Sequence, residues 1–110
     1  MEVRISGRHV DVTDVMQGHI RNRIDRLPRF DDQIQAVTVT LMRDARGDRV
    51  EVIAKCHRST LVANARSHDM YQSIEEAFEK VERQIARLHD KIVSKHKAQQ
   101  AARMNRERSG

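Results

Sequence analysis

The sequence holds one cysteine, one proline and no tryptophan, and its only Phe or Tyr residues are Phe30, Tyr71 and Phe78. A lone cysteine excludes an intrachain disulfide, and with it the stapled framework of many small secreted domains. So few aromatics argue against a base-stacking platform of the kind single-stranded RNA binders use. No apolar run approaches the roughly 20 residues that cross a bilayer, and the opening stretch MEVRISGRHV becomes charged too soon for a signal peptide. A soluble, cytoplasmic protein without a membrane partner is expected. Gly-rich phosphate loops and serine-centred nucleophile motifs are missing too. No enzyme is expected, and no cofactor or small-molecule substrate.

Charge is what the sequence has in quantity. Of 110 residues 34% are charged and 38% hydrophobic, with 21 Lys and Arg against 16 Asp and Glu, a net of +5. The excess is uneven. Residues 96–110 form a basic tail in which Lys97, Arg103, Arg106 and Arg108 face only Glu107, and this tail is expected to be flexible or frayed. Any basic site in the remaining domain, residues 1–95, must therefore be a patch with its acids segregated elsewhere. Basic surface suits nucleic acid or an anionic membrane.

Residues 2–6 alternate around Val3 and Ile5, and Gly7 closes this first strand. Thr13 is a suitable N-cap, with Asp14 following where the helix dipole favours an acid. Met16, Ile20, Ile24 and Leu27 then make one apolar stripe, which Pro28 stops. Period-two patterns over 34–43, 49–56 and 59–66 predict three strands, antiparallel because their connections are short. Val37, Val39, Leu41, Val50, Val52, Ala54, Cys56, Leu61, Ala63 and Ala65 share the inward phase. Asp69 and Gln72 resemble a capping-box pair opening a last helix, whose stripe is Ile74, Phe78, Val81, Ile85, Leu88 and Ile92. The expected fold is α+β, β-α-β-β-β-α: a four-stranded sheet with both helices packed on one face.

The last helix carries a second pattern. Lys80, Arg83, Arg87, Lys91 and Lys95 step by three or four residues and fall within an arc of about 120°. The ridge they form is roughly 22 Å long, a length suited to a run of phosphates. Glu75, Glu79, Glu82 and Asp90 lie mostly on a third side, read as solvent-facing. A merely soluble helix mixes the two signs as i,i+4 pairs, whereas here most acids and bases fall on different sides. Arg23 and Arg26 on the first helix, with Arg29 beyond, are expected to join the ridge along one groove between the helices.

Other features carry less. Adjacent strand residues point to opposite faces, so Cys56 and His57 are badly placed as nucleophile and base, and Cys56 reads as a buried thiol. His9, His19, His57, His68, His89 and His96 show no close ligand spacing, and no metal site is expected. Arg46-Gly47-Asp48 reads as a hairpin turn.

The segment DMYQSIEEAFEKVERQIARLHDK, residues 69–91, closely resembles the second helix of bacterial ribosome hibernation promoting factors, also called ribosome-associated inhibitors or sigma-54 modulation proteins. ISGRHVDVTDVMQGHIRNRIDRL, residues 5–27, looks like the family's first strand and helix, and LVANARSHDMY, residues 61–71, like its strand-to-helix junction. The resemblance spans about residues 3–95. It implies a β-α-β-β-β-α domain bound to the small ribosomal subunit and its rRNA in the decoding region. There it would block messenger and transfer RNA sites without bond chemistry, as part of a stationary-phase stress response. The family's ribosome-facing bases match Arg23, Arg26, Arg29, Arg66, Lys80, Arg83, Arg87 and Lys91, and the periodic ridge adds Lys95. Asp69 and Tyr71 match the junction motif, Asp69 as a cap and Tyr71 as a packing or RNA contact. Three departures stand out. Pro28 replaces a helix-compatible residue, which alters the course expected of Arg29. The C-terminal dimerisation domain of long members is not expected in this chain, and the tail is basic where some short members are acidic. Promotion of ribosome dimers and stabilisation of inactive single ribosomes both remain open. Rival readings are a double-stranded-RNA-binding-like module and a protein-interaction regulator of transcription. Against the first, Asp69, Glu75, Glu76 and Glu79 occupy the helix start, where such modules place bases.

Overall fold

The computed structural model describes the backbone of residues 1–108 and the side chains of residues 1–98. Of the basic tail, Arg103, Arg106 and Arg108 have side chains outside the described residues. The elements are β1 (Glu2–Arg8), α1 (Asp14–Arg26), a short 3-10 turn (Leu27–Arg29), β2 (Ile34–Asp44), β3 (Gly47–Cys56), β4 (Ser59–Ser67) and α2 (Met70–Arg108). They match the expected order. The sheet order is β1-β2-β3-β4.

Helix α1 begins as its residues require. Thr13 Oγ1 accepts from Met16 N at 3.2 Å, giving one orphan amide of the first turn a partner, and Thr13 O accepts the first intrahelical bond from Gln17 N at 2.9 Å. Pro28 then ends the helix through the 3-10 turn. The connection allows β1 to lie parallel to β2, with Val3 opposite Val37 and Ile5 opposite Val39, while the two later hairpins are antiparallel. Strand β1 runs on through Gly7 rather than ending there. A Cβ at Gly7 would collide with the Val10 carbonyl oxygen, so only glycine lets the chain fold back so closely.

The inward phase read from the sequence forms the core. Val37, Val39, Leu41, Val50, Val52, Ala54 and Cys56 are fully or almost fully buried against Ile20, Leu27, Ile74, Phe78, Val81 and Ile85. Full burial of side chains of this size stabilises by about 1.5–3 kcal/mol each before entropy is counted. Both helices cover the same face. The opposite face is uncovered, with Ile53 half-buried and Val62 45% exposed. At the C-terminal side, α2 outruns its support: from His89 through Ala98 every described side chain is exposed.

A candidate nucleic-acid interface

Helix α2 is divided lengthwise, and the division differs from the one its periodicity suggests. Glu75 and Glu82 face α1 rather than solvent, whereas Glu79 and Asp90 are exposed as expected. Glu75 Oε2 accepts from Arg23 Nη1 at 2.7 Å, Glu82 Oε1 accepts from Arg23 Nη2 at 3.0 Å, and Glu75 Oε1 meets His19 Nε2 at 2.6 Å. The Arg23 side chain is only 8% exposed. Arg23 is thus a tie across the helix seam, with its two terminal nitrogens committed to carboxylates. The groove expected to unite bases of both helices is an ion-paired seam instead, because α2 presents acids there.

The basic ridge lies on the other flank. Lys80, Arg83, Arg87, Lys91 and Lys95 are all exposed. Lys80, Arg83, Gln84 and Arg87 line one shallow groove, and Arg87, Lys91, Leu61, Gln84 and Leu88 line another that shares Gln84 and Arg87 with it. This flank overhangs β4. Lys80 Nζ donates to Asn64 O at 2.8 Å and Gln84 Nε2 donates to Val62 O at 2.9 Å. Two carbonyls of the outer edge strand are capped in this way, a common protection of a sheet edge.

The remaining bases divide again. Arg26 and Arg29 are exposed at the end of α1 and in the 3-10 turn. Among the described residues, no carboxylate pairs with Arg26, Arg29, Arg83, Arg87, Lys91 or Lys95. Arg66 is exposed but pairs with Asp44 at 3.0 Å across the sheet end. The Arg46 backbone N–H holds the Asp44 carboxyl below its ordinary range against the opposing effect of burial, and the Arg66 charge adds to the lowering.

Asp69 Oδ1 accepts from Tyr71 N at 3.0 Å, so Asp69 caps the helix as expected. Gln72 does not complete a capping box. Its amide donates to Glu76 Oε1 at 3.0 Å, and the Asp69 N–H donates to Ser67 Oγ at 3.2 Å instead. Tyr71 packs edge-on against His19, with ring centroids 5.6 Å apart. That contact sets Tyr71 on the α1 side, away from the ridge.

The fold also gathers groups that the sequence keeps apart. His57 follows β3 with φ 55°, a left-handed conformation that breaks the alternation of side chains. Its ring therefore returns to the side of Cys56, contrary to the strand-based expectation. His57 Nε2 lies 2.8 Å from Asp31 Oδ2, and His89 Nδ1 lies 3.0 Å from the same oxygen. Asp31 Oδ1 accepts from Gln33 N at 2.7 Å. Burial raises the Asp31 pKa, but the Gln33, His57 and His89 hydrogen bonds outweigh it and hold the carboxyl below its usual range. Burial, then the Asp31 charge and a hydrogen bond to it, push the Cys56 thiol up to about 11. Asp31 escaped the sequence reading because its partners come from residues 26 and 58 positions away.

The structure is thus a β-α-β-β-β-α sheet protein with an exposed basic flank on α2 and an ion-paired seam between its helices. The chain is a member of the sigma 54 modulation protein / S30EA ribosomal protein family, whose profile matches residues 3–93. A ribosome hibernation promoting factor of Azotobacter vinelandii is 31% identical over 102 residues, covering 93% of this chain and 95% of that protein. The ribosome-associated factor Y of Haemophilus influenzae is 30% identical over 95 residues, covering 86% of this chain and 89% of that one. Among solved structures, the N-terminal domain of Thermus thermophilus Protein Y superposes with a TM-score of 0.74 at 22% identity, over 80% of this chain and 99% of that one. The fold is thereby shared.

Proposed function

We propose that the protein binds the small ribosomal subunit near its decoding centre, blocks the messenger and transfer RNA sites, and stores idle ribosomes in an inactive state. One observation carries this reading: Arg83, Arg87, Lys91 and Lys95 stand exposed along one flank of α2 with no carboxylate partner among the described residues, while Glu75 and Glu82 are drawn into the α1 seam. Segregation of this kind leaves a rigid positive strip instead of a mixed, self-neutralised surface. The names of the Azotobacter and Haemophilus relatives support the ribosome as the partner. Inhibition follows from occupancy and calls for no bond to be made or broken. Arg26 and Arg29 supply further phosphate contacts, and Lys80 a weaker one, because one of its ammonium hydrogens already serves Asn64 O. Arg66 contributes only if Asp44 releases it, and Arg23 acts through the helix seam.

Co-sedimentation with purified small subunits tests the proposal. Arg83→Glu combined with Arg87→Glu is expected to abolish association while leaving the circular dichroism spectrum and melting transition unchanged, since both side chains lie outside the core. Undiminished association by the folded double variant would exclude the ridge as the binding face.

A further inference from the structure

We propose that Asp31, Cys56, His57 and His89 form a zinc-binding site that clamps α2 to the β3–β4 turn and to the segment following α1. The ligand atoms of Asp31, Cys56 and His57 lie within 4.8 Å of one another. His89 joins them through its 3.0 Å approach to the Asp31 oxygen that His57 also meets. Zinc bonds of about 2.0–2.3 Å place tetrahedral ligand atoms roughly 3.3–3.8 Å apart. His89 lies outside the mutual 4.8 Å group of the other three, so it reaches a shared ion through a change of rotamer, which its 47% exposed side chain allows. Two neutral imidazoles, one carboxylate and one thiolate also neutralise a divalent ion, and thiolate with imidazole selects zinc over magnesium or calcium.

The surroundings already position these ligands. Gln33 N holds Asp31 Oδ1, leaving Oδ2 turned toward the two rings. His57 N donates to Gln33 O at 3.1 Å, which fixes the turn that carries the ring. Outer contacts of this type commonly orient metal ligands. Cys56 and Asp31 are buried, His57 is half-buried, and the His89 side chain is 47% exposed, so an ion has a route from solvent. On binding, the sulfur–hydrogen bond breaks, its proton passes to solvent, and a zinc–sulfur bond forms. No redox change is involved. The site lies where α2 loses its support, just past half-buried Leu88 and between Arg87 and Lys91 on the helix. Zinc would thus stiffen the exposed end of the basic ridge.

The inference is independent of ribosome binding and is tested on the chelator-treated full chain alone. Cobalt as a spectroscopic substitute should bind at one equivalent with a thiolate-to-cobalt charge-transfer band and intense tetrahedral d–d bands, and zinc should displace it. Equimolar zinc should raise the melting temperature, as expected for a ligand bound by the native state. Cys56→Ser should lose the charge-transfer band. Since that side chain is buried, His57→Asn and His89→Gln serve as further tests. Asparagine tolerates the left-handed backbone at position 57, and position 89 is exposed. Each should weaken zinc affinity at least tenfold, while His68→Gln, outside the cluster, should not. Absence of the charge-transfer band in folded wild-type protein would overturn the site and leave a hydrogen-bonded cluster only. So would zinc affinity that survives both histidine variants, or that depends equally on His68.

Discussion

Arg23 of α1 reaches Glu82 of α2 over 3.0 Å, with their side chains 8% and 12% exposed. A guanidinium this withdrawn from water does not serve as a free phosphate ligand, and the tie defines which side of α2 remains for a partner. Removing one member of a buried pair leaves the other charge uncompensated. Arg23→Ala should therefore destabilise the domain by about 3 kcal/mol, measured by urea denaturation. The combination Arg23→Met with Glu82→Leu should recover most of that loss, because an apolar pair removes the more buried of the two stranded carboxylates and Glu75, more exposed, keeps His19. An equal or larger loss in the combined variant would show that the seam depends on charge itself.

Salt titration separates the ridge from the seam. If the exposed bases neutralise phosphates, each replacement of Arg83, Arg87 or Lys91 by Gln should reduce the slope of log affinity against log salt by roughly 0.7–0.9. Arg23→Gln should leave that slope unchanged while lowering stability. A flat salt dependence in the wild-type chain would point to protein contacts.

The edge of β4 offers a third test. Lys80 and Gln84 cap the carbonyls of Asn64 and Val62. Each such hydrogen bond contributes about 1 kcal/mol or less at an exposed position. Lys80→Ala with Gln84→Ala should lower the denaturation midpoint modestly and promote concentration-dependent self-association through the opened edge, visible by sedimentation velocity. A monomer at all concentrations would show that the edge is protected by other means.

Truncation after Lys95 should leave unfolding cooperative, with its midpoint little changed. The deepest α2 contacts end at Ile85, and residues 96–98 are exposed. A broadened transition, followed by far-ultraviolet circular dichroism, would assign the tail a structural part.

Asp69 supplies a local test of the junction. Loss of its carboxylate in Asp69→Ala should cost about 1 kcal/mol, as for other helix N-caps. Gln72→Ala should cost little, since its amide meets Glu76 at the surface.

The sequence by itself determined the element order, the inward phase of every strand, the Thr13 and Asp69 caps and the Pro28 stop. Each follows from period, propensity or a missing donor within a few residues. It also placed Lys80, Arg83, Arg87, Lys91 and Lys95 on one arc of α2, because helical geometry alone fixes that arc. Only the tertiary structure decided what each arc faces. Periodicity says nothing about which flank of α2 meets α1, so it took Glu75 and Glu82 for solvent-facing acids and Arg23 for a free base. It likewise missed the meeting of His57 and His89 at Asp31, since one left-handed residue and two long-range approaches create it. Local rules end where chain segments distant in sequence compete for the same charges.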